Sequence, residues 1–241
     1  MSEAKLDLIA KLLAKAEQTT PEEAKALTEH AERLMVKYGI EQARIDERRA
    51  RLGQTQEEIV KERMLFTGAY ARDMRELGGG IALALGTLRP LHAKHPDGGS
   101  ILYLVGYTSD VQQARVLTAS LQVQAMVAMR SWWAAEREVY RWHSESDKRR
   151  ARSSFVRGFG VGAAGRIREN RRTIIEDAGK GTDLVLASRR DRVDAVVDAM
   201  TTRRARGRGG ADAVSFYNGH RSGREAMTGG KAVGSGRALG R

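Results

Sequence analysis

Apolar residues at Leu6, Ile9, Leu12, Leu13 and Ala16 follow i, i+3, i+4, i+7 spacing and predict an amphipathic helix. Thr19-Thr20-Pro21-Glu22-Glu23 comes next. Thr20 suits the N-cap, Pro21 the first helical position and Glu23 the far end of a capping box. A second stripe at Ala24, Leu27, Ala31, Leu34, Met35 and Tyr38 predicts a second helix, with Gly39 at its C′ position. Together they make a helical hairpin. A charged third helix is expected over roughly residues 41–52, ending at Gly53.

Beyond Gly53 the period changes. Residues 59–67 predict a strand stopped by Gly68, and residues 70–88 a helix weakened by Gly78-Gly79-Gly80. Each glycine costs about 1 kcal/mol against alanine in a helix, so the triple either breaks it or permits close packing. Residues 90–95 and 100–107 predict a hairpin around Pro96-Asp97-Gly98-Gly99, with 101–105 as a buried central strand. Ser109 suits the N-cap of a long helix that carries Val111, Ala114, Leu117, Leu121, Ala125, Ala128, Met129, Trp132, Trp133 and Tyr140. A further helix is expected over about 153–177, with Phe155, Phe159 and Ile167 inward. Residues 182–187 predict a short strand added to the sheet. Ser188 then opens a last helix with Val193, Val196, Val197 and Met200. The order argues for an α+β class: an N-terminal helical hairpin, then a small, mainly antiparallel sheet covered by long helices. The expected units are residues 1–53, residues 54–202 and a disordered basic tail over 203–241. The ten glycines and nine basic residues of that tail leave too little apolar surface to fold.

Charge changes this picture from soluble domain to anion-facing one. Of 241 residues, 42 are Lys or Arg and 30 are Asp or Glu, for a net charge of +12. Residues 1–60 carry 10 basic and 12 acidic side chains, and residues 61–147 carry 10 and 9. Residues 148–202 carry 13 and 7, and residues 203–241 carry 9 and 2, so the excess lies after Lys148. Segregated charge points to a polyanion-facing surface. The candidate nucleic-acid contacts are Lys148, Arg149, Arg150, Arg152, Arg157, Arg168, Arg171 and Arg172 on the helix, with Arg203, Arg204, Arg206 and Arg208 in the tail. Guanidinium forks match phosphate oxygens, and each contact releases counterions. Phe216-Tyr217 among Arg221 and Arg224 adds aromatics to the tail, a mix suited to stacking. Trp132 and Trp133 read as packing, and Trp142-His143 as the exception.

Other chemistry is weaker. The absence of Cys excludes disulfides, thiol catalysis and Cys-ligated metal. His92, His95 and Asp97 are the best metal ligands by type, but they sit on a turn without a partner pair, so no metal or other cofactor is expected. Gly160-Val161-Gly162-Ala163-Ala164-Gly165 matches a dinucleotide fingerprint in letters only, because no buried strand leads into it. Gly158, Gly162 and Gly165 fall instead on one side of a helix, where they would admit a close neighbour. Asp73, Glu76, Asp97 and Asp110 are scattered over different elements, so no catalytic set converges. The charged start lacks a signal peptide's features, and residues 78–88 are far shorter than the roughly 20 a bilayer span needs. A cytoplasmic protein without membrane contact is expected.

Lys11-Leu12-Leu13-Ala14-Lys15-Ala16-Glu17, Pro21-Glu22-Glu23-Ala24 and Ala31-Glu32-Arg33-Leu34-Met35-Val36-Lys37-Tyr38-Gly39-Ile40 occur in order. Over roughly residues 5–45 the chain resembles the bacterial and phage family called domain of unknown function 2786. The remainder resembles the larger domain that often follows it. The resemblance implies a fold segment and a phage or mobile-element setting, and brings no activity or catalytic residue. The function expected is a non-enzymatic, phosphate-led DNA- or RNA-binding accessory protein. The alternative is an interaction module whose acidic N-terminal hairpin docks a host or phage protein.

Overall fold

A computed structural model describes residues 3–16, 18–53, 57–96, 98–178, 181–202 and 209–226. In chain order the elements are α1 (Glu3–Ala16), α2 (Pro21–Arg51), β1 (Ile59–Phe66), α3 (Ala71–Leu85), β2 (Arg89–Lys94), β3 (Ser100–Tyr107), α4 (Thr108–Glu136), α5 (Glu145–Asp177), α6 (Thr182–Asp198) and α7 (Ala213–Glu225). The fold is α+β, with helices around a three-stranded antiparallel sheet of order β1-β3-β2. Ile59 pairs with Tyr107 and Arg89 with Val105 across the central strand. Its alternation sends Leu102 and Leu104 to one face, against Leu77, Ile81, Leu117, Leu121, Phe155 and Phe159. Val105 and Tyr107 go to the other, against Val193 of α6. The apolar run that predicts a central strand is therefore buried on both sides.

The hairpin has a small core of its own, Ile9, Leu13, Ala31 and Met35, with Val116 of α4 packed against it. Thr20 Oγ1 accepts from the Glu23 amide at 3.4 Å, as a cap should. No third helix follows. Gly39 does not stop α2, which runs unbroken to Arg51 before Gly53 turns at φ +65°. Ile40, Ala43 and Asp46 stay buried on one face beyond the glycine, so burial offsets its low helix propensity.

The glycines of α3 likewise permit contact rather than break the helix. A Cβ on Gly78 would lie 2.9 Å from Leu102, one on Gly79 2.8 Å from His92, and one on Gly80 3.6 Å from the Ala164 Cβ of α5. The helix ends at Gly86, φ +81°. Ser109 does not cap α4. It sits inside the first turn, and the Glu57 carboxylate accepts both its amide and its hydroxyl proton. The strand expected at 182–187 is helix instead, the first third of α6. Leu184 is 76 % exposed and only Thr182, Arg189 and Val193 are buried there, so the apolar letters of that run do not face the sheet.

The tail expectation also gives way over residues 213–225, which form α7. Asp212 caps the helix by accepting from the Ser215 amide at 2.8 Å, and its own amide donates to Ser154 Oγ at 2.9 Å. Glycines make the remaining contact. A Cβ on Gly158 or Gly162 would lie about 2 Å from the Phe216 or His220 carbonyl oxygen, at 2.0 and 2.1 Å. Reciprocally, Gly219 and Gly223 would meet the Phe155 and Phe159 carbonyls at 1.9 and 2.0 Å. Paired glycines four residues apart let the two backbones touch. The buried surface of this segment is backbone, which a hydropathy count does not register. The expected tail contacts Arg203, Arg204, Arg206 and Arg208 lie outside the described residues. No helix among the described residues is long and apolar enough to cross a membrane.

Candidate nucleic-acid interface

Ser144 starts α5 by accepting from the Asp147 amide, so the basic run from Lys148 is helical from its first residue. On that helix Arg150, Arg157, Val161 and Arg168 are spaced by seven, four and seven residues, which keeps them on one side over about 27 Å of axis. Gly160 and Ala164 press this helix against α3, and Gly158 and Gly162 press it against α7, so the stripe runs along a furrow.

Three adjoining cavities form the furrow, and Arg157 lines all three. The first, about 220 Å³, holds Arg149, Arg150, Ser146, Ser153 and Gly209-Gly210. The second, about 850 Å³, lies between α3 and the β2–β3 hairpin and holds Arg72, Arg75, Glu76, His92, Lys94 and His95. The third, about 370 Å³, holds Glu76, Leu83, Val161, Arg168 and Phe216. Among the described lining residues, seven are Lys or Arg and one, Glu76, is a carboxylate. By contrast, the 730 Å³ cavity between α2 and the end of α5 mixes Arg33, Lys37 and Arg44 with Glu41 and Asp177. Desolvation against α3 and the charge of Arg75 push His92 below its ordinary value, and Glu76 pulls it back only in part, so its imidazole is neutral near pH 7.

The structure gathers four of the sequence candidates here: Arg149, Arg150, Arg157 and Arg168. It turns the others elsewhere. Arg152 lies over the Trp133 ring at 4.9 Å and donates to the Lys148 carbonyl, while Lys148 pairs with Glu145 at 2.9 Å. Arg172 pairs with Glu176 at 3.0 Å in the open. Arg171 faces inward. Burial pushes its guanidinium down, the Asp110 charge offsets part of that, and Arg189 adds to the depression. Arg72, Arg75 and Lys94 escape a reading tuned to charge-rich runs, although Arg72, Arg75 and Glu76 already share a helix face by their spacing.

A second arginine centre lies away from the furrow. Arg189 of α6 is 4 % exposed and meets Asp46 at 2.6 Å, Glu57 at 2.8 Å and Asp110 at 3.0 Å, with its guanidinium 3.6 Å from the Tyr107 ring centre. Burial works against its charge, yet the carboxylates outweigh that and raise its pKa. Burial likewise favours a neutral Glu57, but hydrogen bonds from Arg189 and Ser109 hold it below the ordinary carboxylate value. This centre ties α2, the entry to β1, α4 and α6 together, and Arg44 adds bonds to the Ala178 carbonyl and Thr182.

Of the scattered carboxylates, Asp73 is buried and accepts from Ser153 at 3.0 Å, Glu76 stands among arginines, and Asp110 belongs to the Arg189 centre. Asp97 lies outside the described residues. Among the described residues no group of three His, Asp or Glu is arranged to hold a metal. The glycine-rich Gly160–Gly165 segment is helix interior, with Gly160 against Leu77 and Gly162 against α7. Trp132 stacks on Phe155 at 4.8 Å and Trp133 lies 5.3 Å from Tyr140, whereas Trp142 is 86 % exposed.

Comparison with known proteins bears on the hairpin. The model of a family described as a protein of unknown function (DUF2786) matches residues 5–42, which span α1 and most of α2. No curated protein and no solved structure matches the chain.

Proposed function

We propose that this is a nucleic-acid-binding accessory protein that holds phosphates in the α3–α5 furrow. The observation that carries the reading is the lining, seven Lys or Arg side chains against one carboxylate among the described residues. Such an imbalance repels itself and is relieved by an anion, the more so when condensed counterions are released. Contacts of this kind position a strand without reading its sequence, so binding is sequence-neutral across DNA and RNA. The alternative, a hairpin that docks a protein partner, draws less support, because Arg44 and Asp46 bind α2 into the body.

Affinity for mixed-sequence DNA and RNA, followed as a function of salt, tests this. In log–log form the slope should flatten by about one unit for each furrow cation removed, as in Arg150→Gln or Arg168→Gln. Arg172→Gln, outside the furrow, should leave the slope unchanged. Failure to bind any nucleic acid near 50 mM salt, where phosphate contacts are strong, overturns the proposal.

A further inference from the structure

We propose that the furrow takes a single strand, and that a strand phosphate replaces the Glu76 carboxylate in its grip of three arginines. This rests on the nucleic-acid reading above and specifies the kind of strand and the seat of its phosphate.

Glu76 stands at the junction of the two larger cavities. Arg72 Nε lies 3.3 Å and Arg75 Nη2 3.9 Å from its Oε1, and Arg157 Nε lies 3.6 Å from its Oε2. Three guanidinium groups thus converge on one carboxylate from two helices, at 3.3, 3.6 and 3.9 Å. Charge-assisted pairs of good geometry close to about 2.7–2.9 Å. The carboxylate holds the arginines in place while setting one negative charge against their three positive ones. A phosphodiester carries the same charge as Glu76 and offers oxygens that match guanidinium forks. Entering in place of Glu76, it meets groups that are already ordered, so little side-chain entropy is lost on binding.

The depth of these groups selects the strand. Arg75 and Arg157 side chains are 12 % and 17 % exposed, whereas Arg72 is 53 % exposed at the rim. A duplex reader presents its basic helix as a ridge to a major groove about 12 Å wide. Here α5 is flanked by α3 and α7 at glycine distance on both sides, so it forms the floor of a furrow. A duplex resting on the rim does not reach Arg75 or Arg157. A single strand can lay its flexible backbone inside. His92, His95 and Phe216 line the same space and offer ring faces to unstacked bases.

Fluorescence anisotropy with the full chain tests the inference, using one mixed-sequence DNA oligonucleotide as single strand and as duplex. The single strand should bind about tenfold more tightly, Glu76→Gln should tighten it about fivefold, and Arg157→Gln should weaken it about tenfold, a larger loss than the duplex shows. Circular dichroism melting accompanies both variants, and if Glu76→Gln is unfolded, the Arg157→Gln measurement decides by itself. Equal or tighter duplex binding, a folded Glu76→Gln that binds no better, or a folded Arg157→Gln that binds unchanged overturns this inference. Salt-dependent binding would then still support the broader proposal. Absence of binding to either form overturns both.

Discussion

Two groups of arginines in this chain sit in opposite electrostatic regimes. In the furrow, seven cations and one carboxylate line the cavities among the described residues, with Asp147 3.5 Å from Arg150 beside them in solvent. At the α6 centre, one buried arginine serves three carboxylates. A surplus of cations in reach of water stores repulsion that an incoming anion relieves, so it is suited to binding. A surplus of carboxylates around a buried cation is a fastening, because withdrawing the cation strands the acids. Residue type is the same in both; the local ratio and the depth assign the role.

Exchanging the same residue in each place tests this contrast most severely. Arg189→Met should destabilise the fold by about 3–5 kcal/mol, since Asp46, Glu57 and Asp110 lose the charge that compensates their burial. Arg157→Met should cost under about 1 kcal/mol, because a partly exposed pair contributes little and the deletion also eases repulsion among its neighbours. Urea unfolding of the two variants makes the comparison. Similar losses in both would show that the furrow arginines are structural and erase the distinction.

The sequence made some of this legible and hid the rest for identifiable reasons. The hairpin, β1, the β2–β3 pair and the long α4 were readable from their apolar patterns, although the end expected for α2 at Gly39 and the cap expected for α4 at Ser109 were not the ones the fold uses. Residues 182–187 were not, since their Leu-Val-Leu run resembles a strand while the fold spends it on a helix turn that leaves Leu184 exposed and Val185 and Leu186 half-buried. Helix α7 was hidden because its contact is glycine against backbone carbonyl. Half of the furrow was visible as the arginine stripe of α5. The other half comes from α3 and β2, whose cations are ordinary in number and gain meaning only by being brought opposite that stripe. The Arg189 centre joins residues up to 143 positions apart, which no local pattern reports.

A milder perturbation sharpens the furrow side. Its far wall is α7, which contributes Phe216 and depends on contact at glycines. Gly162→Ala places a methyl 2.1 Å from the His220 carbonyl and should destabilise the protein by about 1–3 kcal/mol, with loss of strand affinity as the wall withdraws. The identical change at Gly39 of α2 meets nothing within 4 Å and should instead stabilise by up to about 1 kcal/mol. Thermal melts of the pair read out the opposite signs. A stabilising Gly162→Ala would mean that α7 does not hold the furrow closed.

The smallest effect lies in His92, whose ring rests against Gly79 at the edge of the furrow. Its folded pKa is depressed below 6.5 by desolvation and by Arg75. A depressed histidine binds fewer protons folded than unfolded, so its contribution is complete above 6.5 and drains away as pH falls through the folded value. Protonation there also adds a cation to a site that already has too many, facing Arg72, Arg75, Lys94, His95 and Arg157, with Glu76 as the one described counter-charge. The urea midpoint of the native protein should therefore drop between about pH 7.5 and about pH 5.5, and His92→Asn should show a smaller drop over the same interval, whatever its absolute stability. An anion in the furrow offsets the added charge, so a bound single strand should reduce the drop in the native protein toward that of the variant. If the two proteins lose stability in parallel with acid, the cation surplus is screened by solvent, and the repulsion assigned to the furrow is too weak to drive binding.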